Sequence, residues 1–278
     1  MNRSCAIRRS LLILGLTLFV AMGLAPAHAA EGEFQPQVGQ EGKDVVWVPT
    51  PQALVDKMLD MAKVTPKDYV IDLGSGDGRT VITAAKRGAR ALGIEYNPDM
   101  VELSKHNAAK EGVGDRANFM KADLFESDFS QATVITMFLL PEINLKLRPK
   151  ILDMKPGTRV VSNSFTMGEW VDDQTATIDN GCTSWCTAHL WIVPAKVEGT
   201  WRLPQGELTL KQEFQMISGT LKSGGNTTKI TSGRLRGSQI NFTAGGVQYS
   251  GSVNGNTMAG TAKSRAGASK WSATRSGG

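Results

Sequence analysis

Between residues 51 and 63 the apolar positions Leu54, Val55, Met58, Leu59 and Ala62 recur at the spacing of one buried helix face, and Thr50-Pro51 suits a helix start. From Asp68 the pattern becomes short apolar runs separated by helical ones. Residues 69–73, 91–95, 118–121, 132–138 and 158–162 read as strands, and 79–87, 99–111 and 142–152 as helices. Residues 176–179 and 188–193 read as a closing hairpin. Strands alternating with helices predict an α/β fold, a Rossmann-like parallel sheet with helices on both faces.

Pro194 marks a change of pattern. Beyond it short alternating runs, at 207–210, 216–221, 230–235, 240–243, 247–253 and 257–262, are separated by glycine-rich and Ser/Thr-rich turns. The segment opens on Gly199-Thr200-Trp201 and closes on Trp271-Ser272-Ala273. A glycine recurs mid-run in Ile217-Ser218-Gly219, Tyr249-Ser250-Gly251 and Met258-Ala259-Gly260. These features predict a small antiparallel β domain, a barrel or meander, with a protease-sensitive junction at 195–199.

The first residues carry Arg3, Arg8 and Arg9, then an apolar run at 11–24 and a small-x-small signal, Ala27-His28-Ala29. That order is a secretory signal peptide cut after Ala29; an uncleaved anchor is the rival reading. No later run is apolar enough to span a bilayer. The expected organisation is a signal peptide at 1–29, a flexible arm at 30–46, a catalytic domain at 47–194 and a β-rich accessory domain at 195–278. The expected location is exported, periplasmic or secreted.

Charge sharpens the division. The whole chain has a net charge of +5, but residues 31–194 hold 17 Lys+Arg against 23 Asp+Glu and residues 195–278 hold 11 against 3. The basic total is therefore no sign of nucleic-acid binding by the acidic catalytic part, and a nucleic-acid partner is not expected. With Cys5 lost in the signal peptide, Cys182 and Cys186 remain, and in an oxidising compartment so close a pair reads as a local disulfide. A redox pair is the alternative. Zinc is a poor rival, since beyond these cysteines the mature chain offers only His106 and His189, and no metal is expected.

The chemistry concentrates in Asp72-Leu73-Gly74-Ser75-Gly76-Asp77-Gly78-Arg79, which follows a strand and opens a helix. Glycines let a backbone turn sharply and approach a ligand closely, and ligands bind at the carboxyl end of the first strand of such a sheet. Glu95 ends the next strand, where a carboxylate can accept the hydroxyls of a ribose. Asp123 and Leu124 follow the third strand, placed to take an adenine amino group and pack on its ring; Asp123 alone could equally be a turn cap. The glycines are spaced G-x-G-x-G rather than G-x-G-x-x-G, and Asp72 and Asp77 would repel a pyrophosphate. S-adenosylmethionine carries a sulfonium and an ammonium and no phosphate, so the charges favour it over a dinucleotide. No Gly-Lys-Ser/Thr of a nucleotide-triphosphate loop follows.

These three positions in register resemble class I S-adenosylmethionine-dependent methyltransferases over roughly residues 45–194. More narrowly, Trp47-Val48-Pro49-Thr50-Pro51, the glycine loop, Phe138-Leu139-Leu140-Pro141-Glu142 and Arg159-Val160-Val161-Ser162-Asn163-Ser164-Phe165 are similar to the group containing the lysine methyltransferases of the ATP synthase c ring protein. The resemblance implies a donor site of Asp72, Gly74, Ser75, Gly76, Asp77, Gly78, Glu95, Asp123 and Leu124, with Pro49, Thr50 and Phe138 lining the donor or acceptor cleft. The signal peptide and the added β domain depart from that group.

The expected acceptor is a protein, with lysine as the candidate side chain, or a small molecule. Methyl transfer is an in-line displacement helped mainly by alignment and desolvation. Glu142 is the carboxylate candidate for assisting the acceptor, against its reading as a helix-start acid. His106 reads as a surface residue. The competing function is an exported donor-binding or envelope-ligand-binding protein without catalysis, in which the basic β domain could be the working part or only a solvated stabiliser.

Overall fold

The computed structural model describes residues 34–276 and Met1; apart from Met1, the signal-peptide reading lies outside the described residues. The first half builds a seven-stranded sheet from β1 (Tyr69–Leu73), β2 (Arg90–Glu95), β3 (Ala117–Lys121), β4 (Val134–Met137), β5 (Arg159–Asn163), β6 (Gln174–Thr177) and β7 (Thr187–Ile192), in the order β3-β2-β1-β4-β5-β7-β6. The first five pair in parallel, and β7 runs antiparallel between β5 and β6. This is the class I methyltransferase topology expected from the sequence.

Successive side chains of a strand point to opposite faces, so two cores form. Val70, Val134, Val161 and Leu190 face α1 (Gln52–Met61), α2 (Arg79–Lys86) and α3 (Pro98–Lys110). Ile71, Leu73, Ile135, Met137 and Val160 face α4 (Pro141–Leu152), Trp170 and Trp191. Local chemistry sets the helix starts. Asn97 caps α3 by accepting from the Asp99 and Met100 amides, and Pro98 and Pro141 occupy first turns, where an amide donor is not needed.

The second half is a closed eight-stranded antiparallel barrel: β8 (Gly199–Leu203), β9 (Gly206–Glu213), β10 (Met216–Ser223), β11 (Asn226–Arg236), β12 (Gln239–Ala244), β13 (Val247–Asn254), β14 (Thr257–Ser264) and β15 (Gly267–Arg275), with β15 returning to pair with β8. Every connection is a two-residue hairpin turn, such as Gly224-Gly225 and Gly245-Gly246 with positive φ at each residue. Alternating residues such as Leu208, Leu210, Ile240, Phe242, Trp271 and Ala273 fill the interior. The recurring glycines sit where strands approach most closely: a Cβ on Gly219 would stand 1.9 Å from the Thr209 carbonyl oxygen and one on Gly260 1.9 Å from that of Ser250.

One expectation changes. The junction at 195–199 is not an exposed linker. Ala195 and Val197 are buried in the barrel core, and Gln212 binds both, donating to the Ala195 carbonyl and accepting from the Val197 amide. The barrel also docks on the sheet domain: Phe214, in the β9–β10 turn at φ 51°, stacks on Trp170, and Gln215 donates to the Val171 carbonyl. Arg234 adds an ion pair with Asp173.

Candidate active site

The order of strands reverses between β1 and β4, and a cleft opens at the carboxyl ends of the strands there, as such a switch point requires. The cleft runs from the glycine loop and Glu95 on one side to Phe138, Phe165 and Trp185 on the other.

The glycine loop is pinned from both sides. The Gly74 and Ser75 amides donate to the Ile94 carbonyl, tying the loop to β2. Ser104 and Asn107 of α3 donate to the Gly76 and Asp77 carbonyls. Gly74, Gly76 and Gly78 all have positive φ. At Gly76 a Cβ would stand 2.6 Å from Nε1 of Trp47, so this position has neither the conformation nor the space for a side chain.

Glu95 ends β2 with its carboxylate bridging two loops: Oε2 accepts from the Gly76 amide and Oε1 from the Asn97 amide, each at 2.9 Å. Each oxygen keeps a further acceptor site for a ligand hydroxyl. Asp72 is buried at the floor of the cleft, and Thr136 of β4 donates to it at 2.6 Å. Burial, with the negative charges of Glu95 and Asp77 adding to it, pushes its carboxyl up to about 7. Asp77 is turned to Arg79, which also donates to the Thr50 carbonyl. Asp123 and Leu124 line the far wall; Asp123 accepts from the Phe125 amide and pairs with Lys43, whose ammonium holds the carboxyl below its ordinary range.

Lys43 belongs to the stretch expected to be a loose arm. Residues 40–50 instead line the cleft, and Lys43 also lies 5.0 Å from the centre of the Tyr96 ring. Sequence pattern does not single out Lys43, Trp47 or Tyr96 as site residues; Tyr96 follows Glu95 directly, which is the one sequence signal for it. Pro49 and Thr50 line the cleft as expected, and Thr50 is held by Asn163 of β5. Phe138 enters the cleft just beyond β4, beside Phe165 and Trp185. Glu142 is not brought in: it is exposed on the first turn of α4, while Ile143 beside it lines the cleft. Cys182 and Cys186 are joined in a disulfide. Among the described residues no group of three or more His, Cys, Asp or Glu is placed to hold a metal ion.

The ANTKMT methyltransferase domain family matches residues 72–174. A protein-lysine N-methyltransferase of Saccharolobus islandicus is 43% identical over 152 residues, covering 54% of this chain and 94% of that protein. The chain belongs to this methyltransferase family. The adenine nucleotide translocase lysine N-methyltransferase of Mus musculus is 32% identical over 118 residues, a match that spans 42% of this chain and only 51% of that protein. Among solved structures, the RNA methyltransferase from Salinibacter ruber in complex with S-adenosyl-L-homocysteine is 46% identical, with a TM-score of 0.51 over 54% of this chain and 96% of that one.

This methyltransferase uses S-adenosylmethionine, and its cleft fits that cofactor on charge. Burial keeps Asp72 partly protonated near neutral pH, and a sulfonium or ammonium entering the cleft would favour its charged form. Asp72, Glu95 and the open backbone of the glycine loop would hold the donor, with Asp123 and Leu124 at the other end of the cleft. The cofactor supplies an activated methyl group; the chain's own residues orient it and exclude water.

Proposed function

We propose that this methyltransferase acts on the side-chain amine of a protein lysine, in a compartment outside the cytoplasm. The observation that carries the acceptor is the 43% identity to a protein-lysine N-methyltransferase across 94% of that protein's length. The cleft supports it. The donor half lies over the ends of β1, β2 and β3, and the half over β4 and β5 is apolar, walled by Phe138, Leu139 and Phe165. An amine must be neutral to attack carbon, so the acceptor must lose its proton before transfer. That proton passes to water, and the wall aligns the lone pair for in-line attack.

Export rests on the sequence of residues 1–29; a disulfide at Cys182–Cys186 is compatible with it. A fusion of residues 1–29 to a reporter active only outside the cytoplasm tests it, and a cytoplasmic reporter rejects it.

A second reading, methylation of RNA, is favoured by the likeness to the Salinibacter ruber protein. Against it, the domain that holds the cleft carries an acidic excess, which repels phosphates. Labelled S-adenosylmethionine offered together with total protein and total RNA separates the two. Label recovered as methyl-lysine after acid hydrolysis is expected; label confined to RNA overturns the proposal.

A further inference from the structure

We infer that Trp185, carried on the disulfide-closed loop between β6 and β7, completes with Phe138 and Phe165 an aromatic wall that receives the acceptor's alkylammonium head. The inference rests on the lysine reading above and adds to it the residues that select the acceptor.

The three rings meet in one wall of the cleft. Phe138 stacks on Phe165 with centroids 6.0 Å apart and planes at 20°, and Trp185 meets Phe138 at 6.0 Å and 59°. Two of the three are placed by backbone that departs from the ordinary. Phe165 follows Ser164, which has φ 57°, and Trp185 itself has φ 54°, both in the left-handed region that non-glycine residues rarely adopt. Each strained position is held from outside. The Ser164 amide donates to the Thr187 carbonyl, and the Ser164 hydroxyl to Asn163. The Trp185 loop is closed by the Cys182–Cys186 disulfide, with Cα atoms 5.7 Å apart, and the Cys186 carbonyl accepts from the Ile178 amide. A covalent closure over so few residues adds only modestly to global stability, because the closed loop is short. What it does locally is fix where one large side chain points.

Trp185 is 45% exposed, although it packs against Phe138. A half-exposed indole at a cleft mouth, beside two half-buried phenyl rings, presents π faces with no carboxylate among them. Such faces attract a cation, and a methylated ammonium, which keeps its charge while losing hydrogen-bond donors that water would otherwise take, suits them well. A planar base is a poorer match, since Phe138 and Phe165 are in direct contact and leave no slot between them. The wall should therefore hold the acceptor and its methylated forms alike.

The probe is Nα-acetyl-Nε-trimethyl-lysine methylamide, titrated by calorimetry into the full chain saturated with S-adenosylhomocysteine. Binding is expected, tighter than for the neutral tert-butyl isostere. Trp185→Ala should weaken it about fivefold or more, and Trp185→Phe should retain most of it. Cys182→Ser/Cys186→Ser, which keeps the indole but frees its loop, should weaken the probe while leaving S-adenosylhomocysteine affinity unchanged. Any of four results overturns the inference: no binding to the wild type, equal binding of the neutral isostere, unchanged binding in Trp185→Ala, or tighter binding of cytidine monophosphate than of the probe. The lysine reading fails separately, by the absence of methyl-lysine in the labelling experiment.

Discussion

Replacing Asp72 by Asn should make the protein more stable and less able to bind its donor. The carboxyl is buried, and its pKa lies at about 7 rather than 3.8. Between those values the folded chain holds a proton that the unfolded chain has released, so stability falls as pH rises through this window and is fully reduced above it. At 1.36 kcal/mol per unit, the reduction is about 4 kcal/mol at pH 8. An amide does not ionise, and its oxygen can still accept from Thr136. Asp72→Asn should therefore unfold at a clearly higher temperature than the wild type at pH 8, with the difference shrinking toward pH 4. Donor affinity should move the other way. A cationic ligand favours the ionised carboxyl, so wild-type affinity should drop about tenfold from pH 7.5 to pH 6, with about half a proton released on binding at pH 7. The variant should bind weakly with no such dependence. Thermal unfolding and calorimetry in buffers of different ionisation enthalpy read both effects. A variant no more stable at pH 8 than the wild type, or a flat pH profile of donor binding in the wild type, would refute the account of Asp72.

Glu95→Ala removes the acceptor that joins the Gly76 and Asn97 amides and should weaken donor binding at least about tenfold by calorimetry. Gly76→Val places a side chain against Trp47 at a positive φ and should abolish donor binding while the barrel still folds. Phe214→Ala loses its stack on Trp170 and should cost roughly 1–2 kcal/mol, seen as a lower melting temperature and new proteolysis near 195–199. Glu142→Gln should leave donor affinity and turnover within about twofold, because the side chain faces solvent; a turnover loss of about ten times or more would restore it to the acceptor site.

The strands and helices that build the sheet are readable because each is short, periodic and buried on a definite face. The pattern puts β6 at 176–179, and it lies at Gln174–Thr177, since an edge strand with almost every residue exposed carries no alternation to anchor its register. Two of the barrel's hairpin turns announce themselves through glycine pairs, Gly224-Gly225 and Gly245-Gly246. Its docking on the sheet domain does not, because Phe214 and Trp170 lie far apart in the chain and neither stands in a periodic run that points to the other. Residues 40–50 have no periodicity either. Their order comes from tertiary partners, Asp123 for Lys43 and the bare backbone of Gly76 for Trp47, so local pattern assigns the part up to residue 46 to an arm.

The same distinction separates the two halves of the cleft. The donor half is written almost contiguously: a strand, three glycines and the carboxylates that end neighbouring strands lie at fixed offsets, because parallel strands must deliver their ends to one edge. Of the candidate donor residues named from the sequence all but Gly78 line that edge, and the Gly78 amide braces the loop by donating to the Ser75 carbonyl. The acceptor half is assembled from positions 138, 165 and 185, one after β4, one after β5 and one before β7. No offset relates them; the sheet order β4-β5-β7 does, and it becomes evident only when β7 inserts antiparallel beside β5. In the sequence Trp185 looks like filler between two cysteines, and the cysteines look like a staple. In the folded chain the staple adds only modestly to stability, and it also fixes the one ring it aims at the cleft. A fold built this way can keep its donor chemistry constant while loops at the ends of β4, β5 and β6 exchange one acceptor for another.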